Sequence, residues 1–262
     1  MLCLNVWFLL YKYLKRIYFL VKTMKLEPCV IFASGIGMVG KSFTMRELCK
    51  LVDNAFHMTM DVINPANLHI PTVSFSRLPK FEDYVAKAGI FPHHAKKVQT
   101  PCGEMWKIDP TDDRGVSSEF YGRHVRDQCY LIQLGIAEHN IELGKVPIIE
   151  AIVYRQIRDG TLQRFKDFKG FKDYPKYHFH FLADEKICYQ RYLERLDKVG
   201  HYDSKRYPMN KKLSREEFHH FMTEEQPIIP KELEKYEHLK IDTTKESPRE
   251  CAERCLNYIM KR

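Results

Sequence analysis

Residues 33–42, "ASGIGMVGKS", set how the rest of the chain is read. Gly35-Ile36-Gly37-Met38-Val39-Gly40-Lys41-Ser42 satisfies G-x-x-x-x-G-K-[ST] in full. It lies between an apolar, β-branched run, "CVIFAS" (29–34), and a stretch with helical spacing, "SFTMRELCKLVDN" (42–54), carrying Phe43, Leu48, Leu51 and Val52. That placement matters because glycines let successive backbone N–H groups turn onto phosphate oxygens, and a helix starting near Ser42 adds its positive end. The motif predicts that Gly35, Ile36, Gly37, Met38, Val39, Gly40, Lys41, Ser42 and Phe43 cradle the phosphates of ATP. Lys41 then reaches the β- and γ-phosphates, and the Ser42 hydroxyl ligates Mg²⁺. The alternative is a glycine-rich structural turn.

Working outward, strand and helix patterns alternate. "FHMTMDVI" (56–63) reads as a second strand ending at Asp61, "VPIIEAIV" (146–153) as a buried strand, "YHFHFLA" (177–183) as another and "HLKIDTT" (238–244) as a last one. Between them lie helical patterns at 120–144, closed by Gly144, and at 184–200, opened by Glu185 and closed by Gly200. Ser247 is the expected N-cap of a final helix with Pro248 at its first position. Residues 65–118 are punctuated by prolines, form the least regular part and are expected to build a cap. Strands spaced by helices imply an α/β domain over residues 25–262, with a doubly wound, mainly parallel five-stranded sheet covered on both faces. Ligands of such sheets bind at the carboxyl ends of the strands.

Carboxylates at those ends are therefore candidates. Asp61 could accept a proton from a substrate hydroxyl or orient it. Glu150, inside "VPIIEAIV", could bind substrate or hold the water shell of Mg²⁺. The competing reading of each is a charged strand end facing solvent. Arg191 and Arg195 stand at i, i+4 on one helix face, followed by the basic stretch "DKVGHYDSKRYPMNKK". They would suit a lid, about 191–225, that stabilises charge on a transferring phosphoryl group, or they form a solvated helix face. Arg126, in "YGRHVRDQCY", would fit a substrate phosphate or carboxylate, or simply marks a surface helix terminus. The alternation in "YHFHF" puts His178 and His180 on one strand face, which favours packing over metal binding.

The net charge of +8 is unevenly spread. Four of the 42 basic residues (Lys12, Lys15, Arg16, Lys22) lie in residues 1–24, which hold no acidic residue, leaving 38 basic against 34 acidic side chains. The remaining balance suits a phosphorylated ligand and does not require nucleic acid. The opening run has eleven uncharged residues before Lys12, too short to span a bilayer. Residues 1–24 are expected either to form a basic amphipathic helix that packs on the domain or, through residues 1–22, lies on an anionic membrane surface, or to be an extension outside the working fold. The eight cysteines are scattered without a CxxC pair, which favours a reducing, cytoplasmic setting. Cys251 and Cys255 share a helix face and are expected to pack in the core.

Taken together, "GIGMVGKS", the strand-ending Asp61 in "MDVIN", the run "YGRHVRDQCYLIQLGIAEHNIELGKVPIIEAIVYRQ", the Arg191/Arg195 helix and the closing "KIDTTKESPRECAERCL" resemble the P-loop kinases. Within them the chain looks most like the AAA-family ATPase or zeta-toxin-like small-molecule kinases. The resemblance implies a P-loop NTPase fold over about residues 28–262, ATP and Mg²⁺ on Lys41 and Ser42, Asp61 as base, and Arg191 and Arg195 as lid arginines. It also implies transfer of the γ-phosphoryl group of ATP to a small-molecule acceptor. Two other functions compete: an ATP-dependent switch with slow hydrolysis, and a nucleic-acid end kinase, which is not favoured because no aromatic stacking pattern accompanies the basic lid. No N-K-x-D tetrapeptide occurs, which argues against a GTPase.

Overall fold

A computed structural model of the protein describes residues 23–60, 63, 69–71, 95–100, 103–108, 126–152, 154–199 and 212–262. Five strands form one all-parallel sheet: β1 (Val30–Ser34), β2 (Ala55–Thr59), β6 (Val146–Ile152), β7 (Lys176–Leu182) and β8 (Leu239–Asp242), in the spatial order β2-β6-β1-β7-β8. β1 is central and all five of its residues are buried, as a strand covered on both faces must be.

Alternation along β1 divides the core in two. Ile31 and Ala33 face α1 (Lys41–Leu51) and the C-terminal helix Pro248–Met260, meeting Met45, Leu48, Cys251 and Cys255. Val30 and Phe32 face α2 (Asp127–Glu142), α3 (Tyr154–Arg158) and α4 (Thr161–Lys166), meeting Tyr130, Leu134, Ile157, Leu162 and Phe165. On the first face Tyr192 of α5 (Glu185–Val199) and Phe218 of α6 (Arg215–His220) stack with ring centroids 5.3 Å apart. The C-terminal helix, α7, starts as its sequence predicts. The Ser247 hydroxyl accepts from the Glu250 N–H while the Glu250 carboxylate accepts from the Ser247 N–H. Cys251 and Cys255 are free and fully buried in the core, and burial pushes the Cys251 thiol up to about 12.

Several expectations need correction. β2 ends at Thr59 rather than Asp61, and Asp61 lies outside the described residues. The stretch 65–118, expected to be irregular, contains β3 (His69–Pro71), β4 (Ala95–Thr100) and β5 (Gly103–Ile108), which pair antiparallel in the order β3-β5-β4. β4 and β5 form a tight hairpin with Thr100 opposite Gly103, a local pairing that polar "AKKVQT" disguises because its alternation is not apolar against polar. α2 spans Asp127–Glu142, so it ends near the expected position, with Gly144 in the left-handed region at φ 77°. α3 and α4, five and six residues long, are too short for helical periodicity to register in sequence. Of the expected lid, α5, α6 and a π-helical turn (Phe221–Glu225) are described, while 200–211 lie outside, as do residues 1–22. No helix among the described residues is long and apolar enough to cross a membrane.

Candidate active site

The loop between β1 and α1 is bent by residues that can take left-handed backbone: Gly35 (φ 134°), Met38 (φ 67°) and Gly40 (φ 89°). A Cβ at Gly35 would stand 2.4 Å from the Phe181 carbonyl oxygen of β7, so the loop can seat on the sheet only with glycine there. The turn at Gly40 launches α1 at Lys41 with no side chain capping the first turn. Lys41 folds back and its Nζ donates to the Ile36 carbonyl at 2.7 Å, so the ammonium is held within the loop. Ile36 and Val39 are buried and anchor the loop from below. Phe43, expected on the apolar stripe of this helix, is instead 66% exposed beside Ser42.

β6 brings Glu150 to the same place. Its backbone lies opposite Ala33 of β1 and Thr59 of β2, next to the carboxyl ends of both strands. The Ser42 hydroxyl donates to Glu150 Oε1 at 2.7 Å, and His57 Nε2 donates to Oε2 at 2.6 Å. Burial alone would raise the Glu150 pKa, but the His57 and Ser42 hydrogen bonds and the Lys41 charge together hold it below the usual carboxylate value. Glu150 is therefore an anion although only 7% exposed, and the reading of it as a solvated strand end fails. An ionised carboxylate beside a hydroxyl is a set of hard oxygen donors, which fits a small divalent cation such as Mg²⁺. The Lys41 ammonium lies close enough for its charge to act on Glu150.

Arg191 reaches the loop but grips it from the side. Nη1 donates to the Met38 carbonyl at 3.2 Å and to Thr243 Oγ1 at 2.9 Å, and Nη2 donates to the Thr243 carbonyl at 2.8 Å. Thr243 Oγ1 in turn donates to the Val39 carbonyl at 2.8 Å. The guanidinium and Thr243 thus buttress Met38 and Val39, tying α5 and the end of β8 to the loop. Arg195, one turn on, is exposed on α5. Arg126 precedes α2 in helical conformation. His57 and Thr243 went unnoticed in the sequence. Each acts on a residue about 90 or 200 positions away, and only the strand register and the β8 exit bring them together.

A second polar cluster lies just before the loop, on the opposite face of the sheet. Ser34 Oγ is 2.6 Å from His178 Nε2 and 2.9 Å from His180 Nδ1, and His180 Nε2 is 2.8 Å from the Ile228 carbonyl. A carbonyl can only accept, so His180 Nε2 carries its proton and Nδ1 accepts from the Ser34 hydroxyl. Ser34 must then accept from His178 Nε2–H, which leaves His178 Nδ1 without a hydrogen-bond partner among the described residues. Burial holds His178 well below the usual imidazole range and brings His180 down to about 4, so both are neutral. Both are buried and lie against the His238 ring, packed as expected.

No family model matches the chain, and no curated protein matches it in sequence. Among solved structures it is similar to a candidate kinase from Chloroflexus aurantiacus j-10-fl, at 13% identity over 88% of this chain and 98% of the other, with a TM-score of 0.49. It is also similar to the tunicamycin resistance protein of Deinococcus radiodurans, at 12% identity over 89% and 96% of the two chains, TM-score 0.43. A third is a sugar kinase from Janibacter sp. HTCC2649, at 12% identity over 88% and 94%, TM-score 0.40.

Proposed function

We propose that the protein is a P-loop NTPase-fold kinase that binds ATP·Mg²⁺ and transfers the γ-phosphoryl group to a hydroxyl or phosphate of a small molecule. The observation that carries the reading is the convergence of Lys41, Ser42 and the ionised Glu150 at the start of α1. Residues 35–43 would wrap the phosphates, Lys41 would neutralise them, and Ser42 and Glu150 would hold Mg²⁺, which would supply charge stabilisation for the transferring group. With phosphates and acceptor held in line, catalysis comes mainly from positioning and charge. Asp61 takes the acceptor's proton, Arg126 contacts the acceptor, and Arg191 and Arg195 belong to the lid.

One observation favours a second reading, an ATP-dependent switch with slow hydrolysis. Arg191 spends both terminal nitrogens on Met38 and Thr243, which suits holding the loop more than closing over a transferred group. γ-Labelled ATP with Mg²⁺, offered with nucleosides, sugars, aminoglycosides and oligonucleotides, separates the two. The kinase labels a small molecule, and Asp61→Asn abolishes that label. ATP binding with no labelled acceptor and turnover unchanged in Asp61→Asn overturns the kinase in favour of the switch, and label in the oligonucleotides alone makes it an end kinase.

A further inference from the structure

Helix α2 is apolar on both of its sides. Tyr130, Leu134, Ala137 and Ile141 are buried in the core against the sheet. On the outer side Leu131, Ile132 and Ile136 are exposed, as is Leu143 just past the last turn; Leu131 and Leu143 are 67% and 65% exposed. Ile132 and Ile136 stand one turn apart, and Leu143 lies two turns further along the same side, so these residues form one stripe. A helix that is hydrophobic all round is one that is covered all round, and a contiguous exposed apolar stripe marks an interaction surface.

The described chain begins beside the end of that stripe. Asn54 Nδ2 donates to the Leu26 carbonyl and to the Gly144 carbonyl, both at 2.8 Å, and the Leu26 N–H donates to Asn54 Oδ1 at 3.0 Å. Met24 is held as well: its N–H donates to the Leu51 carbonyl and its carbonyl accepts from the Asp53 N–H, both at 2.9 Å. One asparagine thus ties the chain at Leu26 to the residue that follows Leu143, and residues 1–22 join the domain there. In that segment Leu10, Leu14, Ile17 and Val21 recur at helical spacing, and a helical projection puts Lys12, Lys15, Arg16 and Lys22 away from them. Twenty-two residues of helix span about 33 Å, against about 24 Å for α2, enough to run the length of the stripe. Charge favours the contact, because α2 carries Asp127, Glu138 and Glu142 without a lysine or arginine, whereas residues 1–22 carry four basic residues and no acid. A covalent tether at that spot also gives an effective concentration on the order of millimolar, an advantage that neither a second copy nor a membrane has. We propose that residues 1–22 dock as an amphipathic helix on the outer face of α2, with Leu10, Leu14, Ile17 and Val21 on the stripe and the basic side toward solvent. The inference stands apart from the nucleotide reading of the loop.

Hydrogen exchange of the full chain, read by mass spectrometry on peptides from residues 1–22, tests it without nucleotide. In wild type these amides exchange at least tenfold more slowly than in an unstructured peptide, at a rate independent of protein concentration. Ile136→Lys and Leu143→Lys, at exposed positions where the fold survives, speed that exchange at least fivefold. Leu14→Lys, which leaves α2 itself intact, does the same, and Met260→Lys, at an exposed position on α7, leaves it within about twofold of wild type. Exchange at the unstructured rate in wild type overturns the proposal, as does exchange that is unchanged in Ile136→Lys, Leu143→Lys and Leu14→Lys or equally fast in Met260→Lys. Protection that appears only with vesicles of phosphatidylserine and phosphatidylcholine overturns it in favour of a membrane surface. Protection that grows with protein concentration alongside a dimer overturns it in favour of a second copy.

Discussion

On the α1 face of the sheet, Ser42 and His57 converge on Glu150; on the opposite face, Ser34 joins His178 and His180. Both clusters hold a serine and a histidine, the first half-buried around the buried Glu150 and the second fully buried, and they flank the same turn of backbone from β1 into the loop. They treat charge in opposite ways. The first contains a carboxylate with two donors and an ammonium nearby, so the ionised form is favoured in spite of burial. The second contains only neutral groups in a directed chain from His178 through Ser34 and His180 to the Ile228 carbonyl, and burial keeps protons out. What separates the candidate site from the structural network is therefore charge beside the loop: Glu150 and Lys41 carry it in the first cluster, and the second holds only neutral groups.

The comparison breaks most sharply at Lys41. Lys41→Ala removes the ammonium beside Glu150 and is expected to lower ATP turnover by on the order of 10²–10³-fold, the scale of losing one donor that stabilises developing charge. The folded state should melt almost where wild type does. Single-turnover assays with thermal melts check this, and full retention of both ATP binding and turnover would remove the loop from the active site.

Acid should act through the other cluster. His178 and His180 titrate at an ordinary imidazole value near 6.5 when unfolded but lower when folded, so the unfolded chain binds more protons and stability falls as pH drops below about 6.5. For His180, whose folded pKa is about 4, the loss by pH 4 is on the order of 3 kcal/mol. Glu150 adds to it only at lower pH, because its folded pKa lies beneath the usual carboxylate value and its contribution is lost as pH falls through that lower pKa. Urea midpoints from pH 7 to pH 4.5 should show this slope, and His180→Gln should flatten it while leaving ATP affinity at pH 7 within about threefold. A slope unchanged in His180→Gln would mean that this network does not govern acid stability.

The smallest expected effect tests whether the loop's side support is structural or catalytic. Arg191→Ala removes three hydrogen bonds to Met38 and Thr243 and should weaken ATP binding by roughly tenfold, the scale of one or two net hydrogen bonds. With ATP saturating, turnover should change little if Arg191 only positions the loop. A large fall in saturated turnover instead returns it to the role of a lid arginine.

Much of the architecture was legible along the chain. The five parallel strands lie within a few residues of their predicted positions because a strand covered on both faces must be an unbroken apolar run, which "CVIFAS" and "VPIIEAIV" display directly. Helix α7 announced itself through Ser247, Pro248 and Glu250, whose capping chemistry is local. The antiparallel strands within 65–118 escaped notice, as did α3 and α4, because short or polar elements leave no periodic signal.

The sequence by itself determined the loop. Gly35, Gly40, Lys41 and Ser42 are neighbours, and the backbone bends that glycine permits are encoded within eight residues. Only the tertiary structure decided the loop's company: His57 on Glu150, Thr243 and Arg191 on Met38 and Val39, and Ser34 between two histidines. The physical reason is that a parallel sheet joins strands far apart in the chain. Which side chains meet is set by strand order and a register in which one step would turn every residue to the other face, and neither is written in the spacing of any single segment.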